Sequence, residues 1–238
     1  MPLENARPHP GELFDRYSSE YESTLDRALA PSGESARYFA RRRVEWLQNQ
    51  LQAIGSTPHS VLDFGCGTGG SIPFLKEILF PHHLVGVDIS SKCLLRARQT
   101  YAHAEVEFAN CRDFAPHAEF DLAFCNGVFH HIAPGARAAA MRYVFDSLVP
   151  GGLFAFWENN PWNPATTYLM RRCEFDEQAL PISRSEATRL LRDNGFSVVH
   201  SSSLFYFPRW LKWLRGMEPV LSRLPLGAQY FLLARKPA

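Results

Sequence analysis

Val61-Leu62-Asp63-Phe64-Gly65-Cys66-Gly67-Thr68-Gly69-Gly70 is the stretch from which the rest of the chain can be read. A short strand runs into a cluster of glycines and then into a helical pattern around 72–79. Such a turn aims backbone N–H groups at whatever lies above it, and glycine lets a ligand come close to the backbone. Gly65, Gly67 and Gly70 satisfy the spacing GxGxxG, which two classes of nucleotide-bearing cofactor share. Asp63 separates the two. An acid at the strand's carboxyl end repels a pyrophosphate and attracts the ammonium and sulfonium of S-adenosylmethionine. A second acid, Asp88, closes Val85-Gly86-Val87-Asp88-Ile89-Ser90, where its carboxylate can accept both hydroxyls of a ribose in either cofactor class.

Outward from this stretch, short apolar runs at 61–64, 84–88, 106–108 and 121–125 alternate with helical patterns. That alternation is the signature of a parallel sheet buried on both faces. A helix over 134–148 leads through Pro150-Gly151-Gly152 into a fifth strand at 153–158. Ser183-Arg184-Ser185-Glu186 is a capping box and Asn194-Gly195 a helix stop, followed by strands at 197–201 and 229–234. The expectation is a three-layer, Rossmann-like α/β fold with a seven-stranded, mostly parallel sheet and helices on both faces. Residues 1–56 form an N-terminal helical cover, with Phe39, Val44, Trp46, Leu47 and Leu51 available for burial. Residues 57–158 form the cofactor-binding core and 159–238 the acceptor-side half, within one domain.

A chain of 238 residues buries roughly 70% of its extended surface, enough for a full core. Its 25 Lys and Arg nearly cancel 24 Asp and Glu, so no long-range field gathers nucleic acid or an anionic membrane. No apolar run approaches the roughly 18 residues of a membrane span, and the MPLENARPHP start lacks signal-peptide character, so a cytoplasmic protein is expected. Five unpaired cysteines fit neither a disulfide framework nor a zinc ribbon, and no metal site is expected.

The motifs VLDFGCGTG, GVDIS, FDLAFCNGVFHHI and LVPGG, in that order over about residues 60 to 158, resemble those of the class I S-adenosylmethionine-dependent methyltransferases. The likeness is to the small-molecule groups called methyltransferase types 11 and 12. It implies that Asp63 holds the methionine ammonium, that Gly65, Cys66, Gly67 and Gly69 allow close backbone approach, that Asp88 binds ribose and that Ile89 packs on adenine. The family's third strand ends in an acid that meets the adenine amine; here Asp113 stands one residue out of place and is equally a solvated loop acid. Tyr17 and Tyr21 have the i, i+4 spacing of a helix; the resemblance implies that this segment closes over the cofactor with the Tyr17 hydroxyl reaching its carboxylate, while Tyr21 packs in the core.

Asn126 follows the fourth strand, where open α/β sheets bind ligands, and is expected to touch cofactor or substrate. His130 and His131 come next as candidate general bases, or else as a capping and a solvent-facing histidine. Glu158, Asn159, Asn160 and Trp162 lie in a proline-stiffened loop where an acceptor should sit. Arg41-Arg42-Arg43 reads as a solvated helix face. In the aromatic insertion 204–226, a helix from Pro208 would put Trp210, Trp213, Leu214 and Met217 on one face, to cover the sheet, line a greasy acceptor pocket, join an oligomer or touch a membrane surface.

The expected function is methyl transfer from S-adenosylmethionine, without metal, to a small acceptor, hydrophobic or lipid-linked if 204–226 serves it. The alternatives are a noncatalytic adenosyl-ligand-binding regulatory module and a nicotinamide-dependent dehydrogenase.

Overall fold

The computed structural model describes residues 10–238. Three helices come first, α1 (Pro10–Tyr17), α2 (Tyr21–Leu29) and α3 (Ala36–Ala53). The alternating core follows: β1 (Ser60–Phe64), α4 (Ile72–Phe74, continued by a π-turn Leu75–Leu79), β2 (His83–Asp88), α5 (Ser91–Thr100), β3 (Glu107–Asn110), β4 (Phe120–Asn126), α6 (Arg137–Ser147) and β5 (Leu148–Asn159). The chain ends with α7 (Pro164–Arg171), α8 (Arg184–Asp193), β6 (Ser197–Leu204), α9 (Glu218–Leu221) and β7 (Gln229–Arg235).

The seven strands form one sheet in the order β3-β2-β1-β4-β5-β7-β6. Every pairing from β3 to β5 is parallel, while β7 runs antiparallel between β5 and β6. The strand order reverses between β1 and β4, and at such a switch point the loops leaving the two strands part to open a crevice. Because successive strand residues point to opposite faces, Val61 joins the apolar layer under Val44, Leu47 and Leu51 of α3, while Leu62 joins the layer under Met141 and Val144 of α6. The sheet is thus sandwiched, as its continuous apolar strands require.

Helix starts follow the caps legible in the sequence. Ser183 and Glu186 make the reciprocal capping box of α8, and Ser90 and Asn163 accept the N–H groups of Cys93 and Thr166 to start α5 and α7.

Two expectations are corrected. Tyr17 and Tyr21 do not share a helix: residues 18–20 break it, so the two rings start from different helical phases. The insertion 204–226 neither covers the sheet nor lines a pocket with its tryptophans. It runs as 3-10 turns over Arg209–Met217, broken at Leu211, and leaves Trp210 and Trp213 72% and 74% exposed. The reason is that its polar side is anchored inward. Arg215 pairs with Glu34 at 2.8 Å and lies over the Tyr38 ring, and Glu218 accepts the N–H groups of Tyr206 and Phe207. The aromatic stripe therefore faces out. Among the described residues no helix is long and apolar enough to cross a membrane.

Candidate active site

The carboxyl end of β1 delivers Asp63 and the glycine turn to the crevice. Gly65 has φ +75°, and a Cβ there would lie 2.3 Å from a Val128 methyl, so conformation and the approach of the β4 loop both require glycine. Asp88, at the end of β2, accepts the N–H of Gly67 through one oxygen and that of Ser90 through the other, each at 2.8 Å. It therefore shapes the turn as well as facing the ligand space. Burial pushes its pKa up against the pull of these N–H donors.

Three cavities meet at this end of the sheet, and Asn126 and Tyr21 line all of them. The first, of about 470 Å³, is bounded by Asp88, Ile89, Cys111, Val128, Ala140 and Tyr143, an apolar slot with one acid at its rim. The second, of about 200 Å³, lies between Asp63, the Gly65–Thr68 backbone, Tyr101, Arg37 and Arg43. The third, of about 150 Å³, is walled by His130, His131, Asn159, Asp176, Phe205 and again Arg43. The first and second share Gly65 and Gly67, so one elongated ligand can lie across the glycine turn.

Charge along this path is organised for a cation beside an anion. Asp63 is 3% exposed and its Oδ2 has no hydrogen-bond partner among the described residues; burial, with Asp88 adding to it, pushes its pKa up to about 8. A buried acceptor left unpaired costs on the order of 1–3 kcal/mol, which an ammonium in the second cavity would recover. Asn126 likewise buries an unpartnered Oδ1. Arg43 donates from Nε to Gln229 at 2.8 Å and stacks beside Phe205, and burial brings its pKa down to about 10. It makes no ion pair among the described residues, so its other N–H groups suit a carboxylate.

Behind the third cavity lies a buried polar cluster. Glu158, fully buried on β5, accepts the N–H of Phe129 at 2.7 Å and faces His130 Nδ1 at 2.6 Å. Asp176 Oδ1 lies 3.4 Å from His130 Nε2 and 3.2 Å from His131 Nε2. Burial opposes the charged form of His130, but Glu158 and Asp176 outweigh it and hold its pKa up at about 10. Burial and the neighbouring His130 lower that of His131. Both carboxyls stay below their ordinary range, because the imidazoles overcome the cost of burial.

The structure brings Asp63, Gly65, Cys66, Gly67, Asp88, Ile89, Asn126, His130, His131 and Asn159 to cavity walls. Gly69 lies one step back, where a Cβ would meet Tyr101 at 2.5 Å. Other expected site residues are placed elsewhere. Tyr17 packs on Phe175 outside the cavities, and Tyr21 takes the inward position because its helix starts after the break. Asp113 is exposed in a polar loop, and Cys111 occupies the wall instead. Asn160 spends its amide on the carbonyls of Pro225 and Gly227, pinning the loop before β7. Trp162, 60% exposed, borders a separate groove beside Arg184 and Arg189. Glu158 stands behind His130 rather than on the cavity wall.

Sequence reasoning missed Arg43, Asp176 and Phe205. Arg43 sits four residues from both Phe39 and Leu47, a helical phase that separates it from the exposed Arg41 and Arg42. Asp176 carried no local signal. Phe205 holds φ 63°, a strained conformation for an aromatic residue, at a cavity wall.

Switch-point crevice, glycine turn and paired acids define a nucleotide-binding α/β enzyme fold. Residues 61–152 match the methyltransferase domain family, and the motifs over that stretch, in their order, are similar to those of the class I S-adenosylmethionine-dependent methyltransferases. It is 34% identical over 47% of its length to a trans-aconitate 2-methyltransferase of Azoarcus sp., covering 44% of that protein. It is 26% identical to the corresponding protein of Methylobacterium nodulans, over 86% of this chain and 87% of the other. The chain spans about half the length of most curated relatives it matches. Among solved structures, magnesium protoporphyrin IX methyltransferase from Synechocystis with bound S-adenosylmethionine superposes with a TM-score of 0.60 at 18% identity, over 98% of this chain and 100% of that one.

Proposed function

We propose that this chain transfers the methyl group of S-adenosylmethionine to a carboxylate-bearing small molecule. The observation that carries the cofactor reading is the orphaned, buried oxygen of Asp63 beside the glycine turn. In this reading adenine lies in the first cavity against Ile89 and Val128, the ribose hydroxyls reach Asp88, and the methionine ammonium pairs with Asp63 in the second. The methyl group then points from Asn126 into the third cavity.

The acceptor reading rests on Arg43, whose guanidinium makes no ion pair among the described residues and stands on the wall shared by the second and third cavities. It agrees with the names of the relatives, which act on trans-aconitate, a small polycarboxylate. A carboxylate oxygen attacks the methyl carbon in line with the C–S bond; the new O–C bond forms as the C–S pair withdraws onto sulfur, giving a methyl ester and S-adenosylhomocysteine. The nucleophile is already an anion, so no proton has to be removed and His130 and His131 need not act as bases. The acceleration comes from alignment at near-attack distance and from excluding water.

The test is transfer of labelled methyl to a panel of small mono-, di- and tricarboxylates, trans-aconitate included, beside neutral and amine acceptors. Ester formation on a carboxylate is expected. Transfer confined to neutral or amine acceptors contradicts the acceptor reading, and cofactor binding with no transfer to any extract component contradicts the enzymatic one.

A further inference from the structure

The buried cluster at the wall of the third cavity has no task in the methyl transfer just described, and its side chains are of the types that bind metal. His130, His131 and Asp176 each offer one potential ligand atom, and these three atoms lie within 4.8 Å of one another. The carboxylate oxygen is 3.4 Å and 3.2 Å from the two nitrogens. Ligands bound to one ion at about 2.0–2.2 Å stand roughly 3 to 3.5 Å apart, so these spacings are those of atoms that share a cation. Asp176 Oδ1 is buried and, among the described residues, meets no donor in good hydrogen-bond geometry, although it sits between two imidazoles.

The outer shell is built as well. Glu158 Oε2 faces His130 Nδ1 at 2.6 Å, and its other oxygen accepts the Phe129 N–H. This is the carboxylate–imidazole pairing that puts the proton on Nδ1 and turns the Nε2 lone pair toward an ion. His131 is fixed by the Phe14 ring packed edge-on at 4.8 Å and by the His130 ring at 4.1 Å. Two nitrogen ligands favour a transition ion over magnesium or calcium.

We propose that His130, His131 and Asp176 bind one divalent transition-metal ion at the wall of the third cavity, with Glu158 orienting His130. All three ligands line that cavity, so positions left open on the ion are accessible to an oxygen-bearing acceptor. The proposal is independent of the acceptor reading and of cofactor binding.

The test uses the full chain, stripped with a chelator and titrated with Co²⁺ in the absence of S-adenosylmethionine, followed by visible absorption and by the shift in melting temperature. One equivalent per chain, displaced by Zn²⁺, is expected. Asp176→Asn and His131→Ala should lose the site, and Glu158→Gln should weaken it by about 10- to 100-fold. His59→Ala, which removes one ring of a stacked histidine pair remote in the fold, should bind as the wild type does. Absence of binding to the folded wild type overturns the proposal. So does binding that persists in both ligand variants, or that disappears with His59→Ala. Should a ligand variant fail to fold, the wild-type stoichiometry and the Glu158→Gln affinity decide.

Discussion

The carboxylate of Asp88 accepts the backbone N–H of Gly67 at 2.8 Å, tying the end of β2 to the turn that follows β1. One acid thus fixes the shape of the glycine turn and presents its remaining lone pairs to the ligand space. Asp88→Ala removes both contributions. Ribose hydrogen bonds to a charged acceptor are worth about 1.5–3 kcal/mol each, so the dissociation constant for S-adenosylhomocysteine should rise at least tenfold by calorimetry. An unchanged constant in the folded variant would contradict the ribose role.

Asp63 predicts a pH dependence. Its pKa in the folded, ligand-free protein is about 8, above its ordinary value of 3.8, so the folded state holds a proton that the unfolded state has released. The stability associated with that proton is complete below the ordinary carboxyl range and is lost as pH rises toward 8, each pKa unit being worth about 1.4 kcal/mol. Asp63→Asn has no such loss. In thermal melts without ligand, its advantage over the wild type should grow between about pH 5 and pH 8, while its affinity for S-adenosylhomocysteine falls. A constant difference across that range would count against a buried, unpaired carboxyl.

Arg43→Gln keeps a polar group but removes the charge between the second and third cavities. The expected result is a rise in KM for the carboxylate acceptor of about tenfold or more, with cofactor affinity little changed, because charge-assisted hydrogen bonds are roughly twice as strong as neutral ones. If cofactor affinity falls and acceptor KM does not, Arg43 serves the methionine carboxylate instead.

Trp213 is 74% exposed, so Trp213→Ala should change unfolding free energy by no more than about 0.5 kcal/mol. A buried tryptophan would cost about 3–5 kcal/mol. Denaturant melts separate the two, and a large loss would mean that the stripe is covered in solution.

The sheet, the glycine turn and both acids were legible because each has a local cause: apolar runs for strands buried on both faces, glycines where the turn takes positive φ at Gly65, Gly67 and Gly69, acids at strand ends. The N-terminal cover was legible as helices but not in phase, since the break at 18–20 exchanged the roles of Tyr17 and Tyr21. The stripe of the insertion suits a sheet cover, a pocket lining, an oligomer interface or a membrane contact equally by spacing, and what turns the aromatic side out is tertiary: Arg215 and Glu218 find partners on the protein. The histidine cluster joins residues 130, 131, 158 and 176 through tertiary contact, and no spacing along the chain announces Asp176.

Isothermal calorimetry of the wild-type chain with S-adenosylhomocysteine and with NAD decides between the two cofactor classes. Saturable binding of one S-adenosylhomocysteine per chain, weakened in Asp63→Asn, and no heat from NAD are expected. Tight binding of NAD with no response to S-adenosylhomocysteine would contradict the cofactor reading.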